Sequence, residues 1–277
     1  VLQVSIPDPA DAKKKKKITL SLNRPLQGDE LVLPVLNREL AKNEIACPLP
    51  DYPTYRAHYD FIQGQSKLFL SGKEHFRRIF TGKDGRGGRL YGRWVQNVPS
   101  TLRRHLTING QPTTELDYAS MQLALLYVMH GLPVPDGDLY KIPGQERETM
   151  KTVLTVSLGA KTRAKAIGGI NKKLLDDNTI RHPPGTAGRY YCTFWDRHSA
   201  VCPHRGKSNQ VWAKLQYADS QIALRVLRYL LEQGIVAVPI HDSFIVQKQH
   251  GEQLMQAMEK AFQDFWPGTS ITMKGSN

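Results

Sequence analysis

Two aspartates, far apart in the chain, each stand where a β-prone run meets something polar. Asp117 ends the run Thr113-Thr114-Glu115-Leu116-Asp117 and opens a helical pattern over Tyr118–Met129. Asp242 lies in His241-Asp242-Ser243, between the apolar stretch from Ile235 and the trio Phe244-Ile245-Val246. Two apolar runs around a polar tip read as a β-hairpin with a carboxylate at its turn. A lone Asp in a turn is ordinary turn chemistry, and a second one in a similar setting changes the reading. Two aspartates at the ends of neighbouring strands can hold two divalent ions ~3.5–4 Å apart. One ion would lower the pKa of an attacking hydroxyl, and the other would steady a pyrophosphate leaving group. Mg²⁺ suits this work because it takes few protein carboxylates and shares the phosphate oxygens of its substrate; Mn²⁺ could substitute.

A second pair of candidates is cationic. The helix expected over Gln145–Gly159 carries Arg147 and Lys151, four apart and therefore on one face. They repel unless something anionic sits against them. Glu148 is expected to point elsewhere round the helix and to neutralise them poorly. A triphosphate would serve, as would a distant acidic loop. With a triphosphate, the two cations would neutralise charge as the bond breaks, and the four side chains together would serve nucleotidyl transfer.

The elements that must position these groups are legible in outline. The 277 residues are 40% hydrophobic, enough for one large domain or two modest ones. Lys and Arg exceed Asp and Glu by 38 to 25, a net charge of +13 that favours nucleic acid as partner, with an acidic membrane surface as rival. No apolar run approaches the ~18 residues that span a bilayer, and no secretory leader is visible. Three cysteines are too few for a disulfide framework, so a cytoplasmic, reducing setting is expected. Lys13–Lys17 read as a solvated arm. A helix is expected over Leu31–Lys42, a Pro-rich link over Pro48–Pro53, and a largely helical stretch over Tyr55–Phe80.

Thr81–Gly92, rich in glycine and arginine, reads as a loop whose backbone could approach a ligand closely. It lacks the Gly-Lys-Ser/Thr of a phosphate loop. Arg93, Gln96, Asn97, Arg103, Arg104 and His105, mixed with Tyr91 and Trp94, suit a nucleic-acid surface. Lys161–Lys173 is basic and helix-prone. Arg181–Lys207 reads as a loop with three potential zinc ligands, Cys192, Cys202 and His204; His198 would have to be the fourth, and the spacing matches no standard zinc pattern. Trp212–Gln233 and Glu252–Phe265 read as amphipathic helices.

With those residues in place, Arg89–Phe265 resembles the polymerase core of the family A DNA polymerases and, more distantly, the single-subunit phage-type RNA polymerases. Asp117-Tyr118-Ala119-Ser120-Met121-Gln122-Leu123 is similar to motif A, DYSQIEL in the DNA enzymes. Arg147-x3-Lys151 running to Gly159 is similar to motif B, and His241-Asp242-Ser243-Phe244 to motif C, HDE in the DNA enzymes and HDS in the RNA enzymes. Gly88-Arg89-Leu90 with Gln96-Asn97-Val98-Pro99 resembles the GRLSS…QNIP stretch, and Leu215-Gln216 the MQG element. The resemblance implies an α+β fold. It would comprise a polymerase palm, an antiparallel sheet with packed helices, plus helical fingers, a reduced or absent thumb and no exonuclease domain. The corresponding segments are 1–80 as a basic arm and helical region, 81–130 and 211–277 as palm, and 131–210 as fingers. The resemblance also implies Asp117, Asp242 and the Tyr118 carbonyl as metal ligands. Arg147 and Lys151 would lie at the triphosphate, with Lys151 a general acid for pyrophosphate. Tyr118, Gln122 and Leu158 would lie by the nucleotide, and Arg89, Arg93, Gln96, Asn97, Arg103, Arg104, Gln216 and His241 at the primer–template. DNA primer–template, nucleoside triphosphates and replication accessory proteins are the implied partners.

The departures bear on substrate. Gln122 stands where the DNA enzymes carry Glu, keeping bulk without charge, so it could accept a 2′-OH. The Lys151–Gly159 interval is one residue short, and Leu158 replaces the aromatic stacking platform before Gly159. Ser243 replaces the second acid of motif C. A minimal DNA polymerase without proofreading is therefore the leading expectation. A primase-like or RNA polymerase is the alternative, and a catalytically inactive nucleic-acid-binding module on the same fold is a third.

Overall fold

The computed structural model describes residues 2–8, 11–19, 28–48, 71–81, 86–176, 183–204 and 211–275. The Pro48–Pro53 link beyond Pro48, the 55–70 part of the expected helix, and Asp177-Asn178 lie outside the described residues. The chain divides into two compact units, Val1–Ala119 with Tyr217–Asn277, and Ser120–Gln216. It is a mixed α/β fold with antiparallel sheet and packed helices. Among the described residues no helix is long and apolar enough to cross a membrane.

The first unit holds two sheets. One has the strands β1 (Leu2–Asp8), β2 (Asp11–Thr19), β5 (Arg77–Thr81) and β6 (Arg86–Tyr91) in the order β2-β1-β5-β6, with β1 and β5 parallel. The Lys13–Lys17 run is thus the backbone of β2 and not an arm. A lysine run carries no hydrophobic alternation by which a strand could be recognised.

Two further expectations are corrected here. The end of the supposed helix Tyr55–Phe80 is β4 (Ser71–Gly72) and β5, and the Gly/Arg loop Thr81–Gly92 supplies β6. The glycines serve an irregularity in the β5–β6 ladder at Ile79/Phe80. Gly87 and Gly88 have φ of 83° and 82°, and a Cβ on Gly88 would lie 2.8 Å from the Phe80 ring. The close approach is to the protein itself: the Arg78 guanidinium donates to the Gly88 carbonyl at 2.9 Å.

The other sheet runs β4, β3 (Ile45–Ala46), β7 (Thr107–Ile108), β8 (Gln111–Tyr118), β10 (Ser243–Gln247), β9 (Val238–Ile240), with β11 (Met273–Gly275) also paired to β8. The expected hairpin forms, with Ile240 opposite Ser243 and His241-Asp242 as its two-residue turn. Pro239, which cannot donate to a ladder, sits on the edge strand β9. Ser243, Phe244, Ile245 and Val246 are all buried. Helix α1 (Val32–Leu40) follows a 3-10 turn and buries Val32, Leu33, Leu36 and Leu40 at helical spacing.

In the second unit, α2 (Met121–Met129) buries seven of its nine residues, as a helix apolar on most sides should. Helix α3 (Arg147–Gly159) starts at Glu146, whose carboxylate accepts from the amides of Glu148 at 3.0 Å and Thr149 at 2.6 Å, satisfying donors at the helix start. Helix α4 spans Arg163–Asp176. The supposed loop Arg181–Lys207 contains helix α5 (Thr186–Arg197). Its apolar Ala187, Tyr191, Phe194 and Trp195 are buried at i, i+4, i+7 and i+8, a period that Pro183-Pro184-Gly185 in front of it obscures. Helix α6 (Val211–Glu232) contributes residues to both units, and α7 (Gly251–Phe265) packs in the first, against β8 and β10.

A buried acid organises the turn after β6. Glu74, 2% exposed, accepts from the backbone amides of Trp94 at 3.0 Å, Val95 at 2.8 Å and Arg93. This fixes the 3-10 turn Val95–Asn97. Glu74→Ala strands these amides in a buried place and is expected to cost ~2–4 kcal/mol, read as a lower denaturant midpoint. A midpoint equal to wild type would show that the turn stands without it.

Candidate active site

The two aspartates meet because β8 and β10 are antiparallel neighbours. Asp117 faces Ser243 across the ladder, and the Tyr118 amide donates to the Asp242 carbonyl at 3.3 Å. Facing residues in such a pair have Cα atoms about 4.5–5.5 Å apart, so Asp242, one residue before Ser243, is held at the end of β8. His241 takes φ of 59° to turn the chain there. The Tyr118 ring is 1% exposed and its hydroxyl donates to the Met258 carbonyl at 2.6 Å, so only the backbone of Tyr118 is presented. In an extended residue the C=O points to the same edge as the N–H, here toward Asp242.

Burial, with the like charge of Asp242 next, pushes the Asp117 carboxyl up to about 7. Lys274 on β11 opposes this, its Nζ 3.5 Å from Asp117. A half-buried carboxylate pair drawing in an ammonium is a site deficient in positive charge, and its oxygen donors suit a hard divalent cation. Among the described residues no three His, Cys, Asp or Glu side chains converge as a metal cluster; the pair supplies two carboxylates. The zinc candidates are otherwise engaged. His198 bonds the Tyr127 hydroxyl at 2.8 Å and the Leu139 carbonyl at 3.0 Å, and His204 bonds the Tyr191 hydroxyl at 2.8 Å and the Ala160 carbonyl at 3.1 Å.

Several residues expected at a primer–template are built into the first unit. Arg89 pairs with Asp219 at 2.6 Å, both largely buried. Burial pushes the Asp219 carboxyl up, Arg89 opposes the rise, and Asp242 adds to it. Gln96 ties the turn to the hairpin, donating to the carbonyls of Leu90 at 3.1 Å and Pro239 at 3.0 Å. Arg103 grips Glu115 through two bonds of 2.9 and 3.0 Å. Arg93, Asn97 and Arg104 are exposed. Burial, then Arg89, pushes the His241 ring down, and Asp242 opposes the shift. Its buried Nδ1 has no hydrogen-bond partner among the described residues, and its ring meets Tyr91 edge-on at 6.1 Å.

In the second unit the cationic pair is already neutralised, which corrects the reading of Glu148. Arg147 pairs with Asp138 at 2.6 Å and with Glu148 at 2.7 Å, while Lys151 lies 3.7 Å from Glu148. A flexible, exposed Glu three residues before Lys151 reaches it across one turn, so it stands between both cations. Gln122 is half-buried, Leu158 is 5% exposed in the core, and Gln216 is half-buried on α6.

Sequence reasoning missed Asp219 and Glu115. Asp219 interrupts the apolar stripe Leu215, Ile222, Val226 of α6 at a core position, a detectable signal. Glu115 is two residues before Asp117 and therefore on the same face of β8.

No family model and no curated protein matches the chain. Among solved structures it is similar to the POL domain of Pol1 from M. smegmatis in complex with DNA primer-template and dNTP, at 12% identity and a TM-score of 0.38. That alignment covers 68% of this chain and 45% of the other, so the chain spans less than half the length of that protein.

Asp117 gives a stability signature. From roughly pH 4 to pH 7 the unfolded chain releases this proton while the folded one keeps it, so the folded state loses stability as pH rises through that window. At ~1.4 kcal/mol per tenfold in the proton equilibrium the loss reaches a few kcal/mol. Without divalent ions, Asp117→Asn is expected to melt roughly 5 °C above wild type at pH 8 and level with it near pH 4. A variant no more stable than wild type at pH 8 would contradict the strained carboxylate.

Proposed function

We propose that the chain is a template-directed nucleotidyltransferase that extends a 3′-OH with release of pyrophosphate, acting on DNA with deoxynucleotides and working in the cytoplasm. The observation that carries this reading is the Asp117–Asp242 pair, Asp117 near the end of β8 and Asp242 in the turn that leads into the adjacent β10, with the Asp117 carboxyl pushed up to about 7 by burial and by Asp242. Asp117, Asp242 and the Tyr118 carbonyl would hold two Mg²⁺ ions, or Mn²⁺ in their place, which when bound supply a more acidic 3′-OH and charge for the leaving pyrophosphate. Before any metal arrives, Lys274 balances Asp117 and keeps the pair from repelling itself apart.

The remaining residues bind and orient. Arg147 and Lys151 would exchange Asp138 and Glu148 for a triphosphate; all four side chains are at least one-third exposed, so the exchange is cheap. Lys151 would deliver a proton to the leaving pyrophosphate. Gln122 and the backbone of Tyr118 would border the nucleotide, Leu158 would do so only by leaving the core, and Gln216 would border the primer–template. His241, next to Asp242 in the turn, would touch the primer end. Arg93, Asn97 and Arg104, exposed at the surface, would meet nucleic acid there, and Arg89, Gln96 and Arg103 would act there by giving up partners inside the fold. The net charge of +13 supports a polyanionic partner.

A ribonucleotide-using polymerase or primase is the second reading, favoured by Ser243. Its hydroxyl is 2.6 Å from the Glu115 carboxylate inside the fold, so the residue that follows Asp242 in the chain brings no acid of its own. Incorporation on a primed template, with separate dNTP and rNTP pools and with Mg²⁺ or Mn²⁺, tests both readings, and an unprimed control tests primer independence. Wild type is expected to extend the primer with dNTPs. Asp117→Ala and Asp242→Ala should each lose roughly 10²-fold or more of the rate while still retarding DNA in a gel. Full incorporation by either variant would refute the two-carboxylate mechanism; rNTP-only incorporation would select the second reading.

A further inference from the structure

Beneath the aspartate pair lies a buried polar triad that the proposed chemistry does not itself use. Glu115 shares a face of β8 with Asp117, and Ser243, directly across from Asp117, points to that same face. The Ser243 hydroxyl is 2.6 Å from Glu115 Oε1 and 3.2 Å from the Ile240 carbonyl. Its one proton goes to the nearer acceptor, Glu115. Arg103 donates Nε to Glu115 Oε2 at 2.9 Å and an Nη to Oε1 at 3.0 Å, and reaches the Val98 carbonyl at 3.3 Å. Glu115 is 9% exposed and Ser243 4%. These bonds cross three elements: the helical turn Ser100–Arg103, the strand carrying Asp117, and the first residue after Asp242.

We propose that Glu115 and Ser243 are positioning residues that set the separation of the two site carboxylates, with Arg103 bonded to both oxygens of Glu115 and holding it in place. The inference rests on the two-carboxylate reading above. The backbone ladder alone fixes Ser243 along the strand, but Asp242 lies in a turn whose preceding residue has φ of 59°. The tie from Ser243 to Glu115 anchors the hairpin side of that turn to the strand bearing Asp117. Groups sharing metal ions must be held to within about 0.5 Å, and buried partners that lock them are the usual means. The same geometry explains why Ser occupies position 243: an acid there would face the Glu115 carboxylate in a buried place, a repulsion that Arg103, with both its bonds to Glu115 already made, could not relieve.

The test compares Ser243→Ala, Glu115→Gln and the double variant. It reads Mn²⁺ binding to the free protein by electron paramagnetic resonance, primer-extension kcat and KM at saturating metal, and thermal stability. Ser243→Ala keeps the small buried volume. It is expected to weaken Mn²⁺ binding about threefold to tenfold and lower kcat about tenfold, with the KM for primer–template unchanged. If Ser243 acts through Glu115, the double variant loses no more kcat than Glu115→Gln alone. Wild-type Mn²⁺ affinity and kcat in Ser243→Ala overturn the proposal while leaving the reading above intact. Independent, multiplying losses in the double variant overturn it too. Should Ser243→Ala fail to fold, Glu115→Asp, one methylene short but still charged against Arg103, is read in the same assays, and wild-type values there overturn the proposal. If wild type binds no Mn²⁺ and incorporates no nucleotide, the reading and the proposal fall together.

Discussion

The antiparallel pairing of β8 with β10 is the constraint from which the rest follows. It sets Asp117 opposite Ser243 and thereby brings two carboxylates of like charge to one end of the sheet. Nothing in strand pairing favours that outcome; burial and repulsion both oppose it, as the raised Asp117 carboxyl records. Such strain persists where the surrounding structure over-determines the geometry. Here the over-determination is visible: α7 packs on β8 and β10 through Met258 and Phe262, the Tyr118 hydroxyl is bonded to the Met258 carbonyl, and Lys274 supplies a cation from the far edge of β8.

Three residues suited by type to a nucleic-acid surface are spent inside the first unit. Arg89, Arg103 and Gln96, each chemically apt for nucleic acid, are held by Asp219, by Glu115, and by the Leu90 and Pro239 carbonyls. Two of these three partnerships involve a buried acid, and breaking either would strand a charge away from water, the costly case for a buried pair. Arg93 and Arg104 remain exposed. Composition therefore overstates the charge available to a ligand. In the second unit the same point holds in weaker form, because Asp138 and Glu148 neutralise Arg147 and Lys151 at exposed positions where exchange is easy.

Local pattern made much of the fold legible. The hairpin around Asp242, the strand ending at Asp117, and the helices α3, α4, α6 and α7 all follow from hydrophobic period and turn residues. The failures share a cause. β2 is written in lysines, β6 in glycine and arginine, and α5 begins behind two prolines; each lacks the apolar period at the place where it would be recognised. Glu74 had no signal at all, since its role is to collect amides about twenty residues away.

The amino-acid sequence by itself determined which groups can do chemistry: two aspartates at strand ends, a cationic helix, a basic chain. It did so because side-chain type and local period are properties of short windows. Only the tertiary structure decided which of those groups share a strand pair, which arginines are consumed by Asp219 and Glu115, and that Ser243 faces inward to Glu115. The Asp117–Ser243, Arg89–Asp219 and Ser243–Glu115 outcomes depend on register and burial between segments more than a hundred residues apart, where a shift of one residue would turn every side chain of β10 to the opposite face.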